Sequence, residues 1–144
     1  VQRFVRVPWN SYDSQAGATR PACGNVDADP RDEIAVGLQG PVAAGWWVLF
    51  DDEGAGFARL VWRQTPWTEY CAAVGTTRPA VADLDGDGVD EVAIGLGPYP
   101  TSGGFLYTWD DVPSGAPLIG PWNLGLPAYN GTNGESFPAA GETR

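Results

Sequence analysis

The sequence has no histidine, no methionine, two cysteines and few bases, with 8 Lys and Arg against 18 Asp and Glu. Without histidine there is no Ser–His or Cys–His pair to activate a nucleophile, so no enzymatic activity is expected. A zinc site is excluded on similar grounds, because Cys23 and Cys71 stand far apart and no imidazole can join them. The shortage of bases argues against nucleic acid, whose phosphates need a basic face. No stretch comes near the roughly 18 apolar residues of a membrane helix, so no membrane span is expected.

Glycine (20) and proline (13) are abundant and fall between short apolar runs rich in aromatics, with 7 Trp, 5 Tyr and 5 Phe. Short runs bounded by turn residues, with no helical period, predict an all-β chain. The net charge of −10 is concentrated in two short loops. Composition alone leaves simple solubility and cation binding open, and spacing decides between them.

Self-similarity organises the chain. Thr19-Arg20-Pro21-Ala22 returns 58 residues later as Thr77-Arg78-Pro79-Ala80. The same interval relates Pro8-Trp9 to Pro66-Trp67, Tyr12 to Tyr70, and the run from Asp32 to Leu38 to that from Asp90 to Leu96. Gly45 to Asp52 matches Gly104 to Asp111 one residue later in offset. A third partial copy is read from Pro121-Trp122 to Thr143-Arg144. Its Trp-to-Thr interval is 21 residues against 10 in the others, which predicts a longer exposed loop of 11 extra residues around Tyr129 to Phe137.

Four strands per unit are expected, near 21–25, 33–38, 45–50 and 57–63, and again near 79–83, 91–96, 104–109 and 117–122. About 58 residues and four antiparallel strands match one blade of a β-propeller. Residues 1–18 are read as an extra N-terminal strand, Val1 to Val7, completing a neighbouring repeat. Residues 19–76 form the first repeat and 77–144 the second. Two blades cannot close a propeller, so either the chain is a segment of a longer array or copies associate head to tail through the spare strand; head-to-tail self-association into a ring or, preferably, a filament is the expectation.

Asp83-Leu84-Asp85-Gly86-Asp87-Gly88-Val89-Asp90-Glu91 carries the strongest chemistry. A hard cation such as calcium takes six to eight oxygen ligands. Asp83, Asp85 and Asp87 alternate at positions one, three and five, Val89 offers its carbonyl, and Glu91 closes the set. Gly88 permits a sharp turn. Ile94 stands where a helix-loop-helix calcium site has its terminal Glu, which separates this loop from that type. The first copy supplies Asn25, Asp27, Asp29, the carbonyl of Arg31, and Glu33. It departs at Pro30, which cannot take the left-handed turn open to Gly88.

These loops, each leading into an apolar Ala-containing strand with Gly-Leu, resemble the FG-GAP/VCBS type of propeller repeat found in integrin α-chain heads and secreted bacterial proteins. The resemblance implies calcium at Asp83, Asp85, Asp87, Val89 and Glu91. It also implies an extracellular or cell-surface protein, structural or adhesive in role. The alternative is a lectin-like glycan-binding module, since several Trp could stack on sugars. Adjacent Trp46 and Trp47 should face opposite sides of a strand, and the recurring Pro-Trp should be core. Asp51-Asp52 and Asp110-Asp111 read as turns at strand ends. Two unrepeated cysteines suggest a Cys23–Cys71 disulfide. Asn130-Gly131-Thr132 is a glycosylation acceptor sequence, expected on an exposed loop.

Overall fold

In a computed structural model, residues 4–15, 17–27, 29–99, 104–110, 112, 115 and 117–141 are described. They form two four-stranded antiparallel sheets. The first contains β1 (Thr19–Gly24), β2 (Glu33–Leu38), β3 (Trp46–Phe50) and β4 (Arg59–Gln64), side by side in chain order. The second repeats this with β5 (Thr77–Ala82), β6 (Glu91–Leu96), β7 (Phe105–Trp109) and β8 (Leu118–Asn123). Registers repeat as well: Ala22 faces Ala35 as Ala80 faces Ala93, and the third strand of each sheet carries an irregularity at Leu49/Phe50 or Thr108/Trp109. Every strand lies within two residues of its expected bounds. The pair of sheets is open, not closed into a propeller.

Three short helices were not foreseen: α1 (Asn10–Gln15), α2 (Thr68–Ala73) and α3 (Pro127–Asn130). They are too brief to show a helical period in sequence. Each seats a tyrosine whose hydroxyl donates to a carbonyl six residues on: Tyr12 to Ala18, Tyr70 to Thr76 and Tyr129 to Glu135. None is long and apolar enough to cross a membrane.

Alternation along each strand builds two cores. Ala35, Trp47 and Leu49 of the first sheet pack on Val92, Ile94, Leu96, Tyr107 and Trp109 of the second, with Tyr70 and Cys71 of α2 between them. Trp47 is fully buried, 5.3 Å from the Trp109 ring. Burying one indole of about 200 Å² contributes roughly 5 kcal/mol before entropy is charged against it. On the opposite face of the first sheet, Val36, Leu38, Val48 and Phe50 are covered by Val7 and Tyr12. Trp46 lies on this side, half-buried and edge-on to Trp62, so the two adjacent tryptophans do face opposite ways.

Two expectations need correction. Residues 4–7 form no strand; they lie along the outer face of the first sheet, where Val7 is buried. Residues 1–3 of the expected strand lie outside the described residues. Both sheets already have four strands, so neither needs a strand from a neighbour.

The 11-residue insertion is also not one. Ser136 Oγ accepts from Leu96 N at 2.8 Å, as Thr77 Oγ1 accepts from Leu38 N at 2.8 Å. A side chain at Gly95 would strike Ser136 and Pro138, as one at Gly37 would strike Thr77 and Pro79. Ser136-Phe137-Pro138-Ala139 is therefore the third copy of Thr-Arg-Pro-Ala, 59 residues after the second. The Trp67 position is taken by Leu126, since each immediately precedes its helix. Pro121-Trp122 belongs to β8, and Thr143-Arg144 lies outside the described residues.

Candidate metal centre

The acidic loops connect the first two strands of each sheet, so the antiparallel turn brings position one back against position nine. In the second loop, carboxylate oxygens of Asp83, Asp85 and Glu91 lie within 4.8 Å of one another. Gly86 and Gly88 adopt φ of 88° and 94°, which permits the tight winding. The aspartates hold the loop by accepting backbone N–H bonds. Asp83 accepts from Gly86 (2.6 Å) and Gly88 (3.1 Å), Asp85 from Asp87 (3.1 Å), and Asp87 from Val89 (2.8 Å). Asp87 stays exposed and outside the three-carboxylate cluster.

Glu91 is the informative member. Its side chain is completely buried, one oxygen accepting from Leu84 N at 2.5 Å. The other oxygen is buried with no hydrogen-bond partner among the described residues. Burial raises its pKa first, and Asp85, Asp110 and Asp87 raise it further. A buried carboxylate oxygen with no donor, facing two more carboxylates, must be either protonated or paired with a cation.

The first loop repeats the arrangement. Oxygens of Asp27, Asp29 and Glu33 lie within 4.8 Å of one another. Glu33 is fully buried, one oxygen accepting from Val26 N at 2.8 Å and the other lacking a partner. Burial, followed by Asp27, Asp29 and Asp51, pushes its pKa up to about 7. Asn25 Oδ1, at position one, is likewise buried without a partner. Pro30 does not prevent the cluster from forming, and Asp29 joins it where its counterpart Asp87 does not. The Arg31 side chain reaches towards Asp52, with its guanidinium nitrogen 3.6 Å from a carboxylate oxygen.

Two features were missed from sequence. Asp51 and Asp52, read as a turn, place oxygens within 4.8 Å of Glu33, and Asp52 is buried. Their recurrence as Asp110-Asp111 at the same strand end was the available signal; Asp111 lies outside the described residues. The two loops are also tied together. Asn25 N donates to the Asp90 carboxylate at 2.8 Å and Asp90 N donates to Asn25 O at 2.7 Å.

The expected disulfide is not formed. Cys23 and Cys71 are both free. Cys23 is exposed on β1 opposite Ile34, whereas Cys71 is buried beside Gly45 with Sγ 3.2 Å from Thr65 Oγ1. Ile34 and Gly45 mark opposite ends of the first sheet, which keeps the sulfurs apart. Asn130 is not on an exposed loop: it is buried, and its amide donates to Asn123 Oδ1 at 2.9 Å. The cause is the third linker helix, which replaces the expected insertion.

The acidic clusters could thus hold metal ions, and each carries an orphaned buried oxygen to receive one. No family model, no curated protein and no solved structure matches the chain.

Proposed function

We propose that this chain is a calcium-binding, non-catalytic β-repeat protein of the FG-GAP/VCBS type, extracellular and structural or adhesive, whose sheets are propeller-type blades. The observation that carries the reading is the fully buried Glu91 with one carboxylate oxygen unpartnered against Asp83 and Asp85. Oxygen-only donors on an irregular loop suit calcium better than zinc or copper, which favour imidazole or thiolate. Glu33 and Asn25 support a second ion in the first loop.

Thermal melting with calcium and with chelator tests this. At a hundredfold excess over Kd, binding stabilises by about 2.7 kcal/mol, a midpoint rise of about 8 °C for a chain of this size. Asp85→Ala should remove most of the rise and Asp27→Ala a smaller part. An unchanged midpoint in the parent protein sinks the reading.

Head-to-tail association belongs to the same proposal, by face stacking in place of strand addition. Leu84, Leu106, Ile119 and Trp122 line an apolar hollow on the outer face of the second sheet. Val26 and Trp47, the counterparts of Leu84 and Leu106, are buried between the sheets, whereas Leu84 and Trp122 are about half exposed, at 52% and 54%. The occupant that continues this interface is the first sheet of a second copy. The lectin-like alternative draws on Pro8, Trp9, Trp46 and Trp62, which line a shallow aromatic groove of about 350 Å³. Saturable glycan binding lost in Trp46→Ala would favour it over stacking.

A further inference from the structure

Both terminal guanidinium nitrogens of the arginine in the Thr-Arg-Pro-Ala element find acceptors in one copy, where Nε alone is buried without a partner, whereas the other copy leaves a terminal nitrogen without one. Arg78 is buried: one guanidinium nitrogen donates to Leu96 O at 2.6 Å and another to the Glu135 carboxylate. Its guanidinium lies 4.1 Å from the centroid of the Phe137 ring. Arg20 holds the equivalent position 58 residues earlier, yet its Nη1 is buried with no hydrogen-bond partner among the described residues. The cause is legible in the repeat register. Because Ser136 replays Thr77, the counterpart of Glu135 is Thr76, an uncharged residue whose hydroxyl accepts from Gly40 N at 3.0 Å.

Arg20 and Arg78 line one cavity of about 440 Å³ with Gln39, Gly40, Thr76 and Glu135. The charge of Arg20 is felt at Arg78. Two guanidinium ions and one carboxylate leave a net positive charge there, in a chain whose own net charge is −10. A guanidinium fork matches a carboxylate in shape and charge, and a buried donor without an acceptor carries a desolvation cost that such a ligand removes. The volume lies within the ordinary range for small-molecule sites. We propose that this cavity binds the carboxylate of a small organic acid, which takes at Arg20 the place that Glu135 takes at Arg78. The site is separate from the acidic loops and does not depend on their metal.

Titration calorimetry with acetate and with glucuronate, at constant ionic strength and saturating calcium, tests it, with glucose as the neutral control. Saturable binding of at least one acid is expected for the parent chain, with none for glucose. Arg20→Ala should weaken it at least about tenfold. Thr76→Glu should do the same by supplying an internal carboxylate, while raising the melting temperature, which a misfolded variant would not. Tighter glucuronate than acetate would assign the ligand to the sugar acids. The proposal is overturned by no saturable binding in the parent chain, by equal binding of glucose, or by undiminished affinity in both variants.

Discussion

Glu33 and Glu91 are buried acids that the fold tolerates only protonated or paired with a cation. In metal-free protein their pKa values lie above the ordinary carboxylate range, Glu33 at about 7. An acid whose folded pKa exceeds its unfolded value contributes stability below the unfolded value and loses it as pH rises through the folded one. The metal-free chain should therefore melt lower at about pH 8 than at about pH 5, a trend that Glu33→Gln should flatten. Saturating calcium should reverse the trend, since it binds the deprotonated form. Melting curves across that range decide, and a pH-independent midpoint in the metal-free chain would count against buried, unpaired carboxylates. The cysteines make a second residue-level prediction. A thiol reagent should modify Cys23 in the native protein and reach Cys71 only on unfolding, as read by intact mass; equal labelling of both would contradict the burial of Cys71. The clustering of Asp83, Asp85 and Glu91 was legible because acidic side chains at fixed spacing wrote it. The orphaned oxygens, the role of Asp51 and Asp52, and the separation of the cysteines were not, since each depends on which strand lies beside which.

Among the elements, the linker helices decide how one sheet meets the next. The Tyr70 hydroxyl accepts from Gly97 N at 2.6 Å and donates to Thr76 O, so a single group closes the joint between α2, β5 and the end of β6. Tyr70→Phe would remove both hydroxyl bonds from a buried setting, leaving Gly97 N and Thr76 O only their mutual bond of 3.3 Å, and should destabilise by about 1 kcal/mol, measurable by denaturant unfolding. A loss below about 0.5 kcal/mol would show that water replaces the hydroxyl. The eight strands were readable from sequence to within two residues, because Gly and Pro punctuate them and the 58-residue interval confirms each against its copy. The third copy was misplaced for a physical reason. Its side chains changed identity while the backbone contacts stayed: Trp67 became Leu126, Thr77 became Ser136, and Arg78 became Phe137. Pro121-Trp122 mimicked the lost Pro-Trp in the wrong strand. The tyrosine six residues before its carbonyl partner recurs in all three copies and was the surviving marker.

For the whole molecule, the asymmetry between its two outer faces matters most. The first sheet is covered by Val7 and Tyr12, while the second leaves Ile119 and Trp122 to solvent. Trp122→Lys should change stability by no more than about 0.5 kcal/mol, because the indole is already half exposed. It should nevertheless abolish self-association in sedimentation. A parent chain that sediments as a monomer in calcium would refute stacking altogether. The paired bonds between Asn25 and Asp90 have a mechanical consequence. Asn25 opens the first loop and Asp90 adjoins the last ligand of the second, so any force that separates the sheets must deform both loops at once. A cation held in either loop would therefore stiffen the joint between the two sheets, so that metal concentration would set how readily one sheet bends against the other.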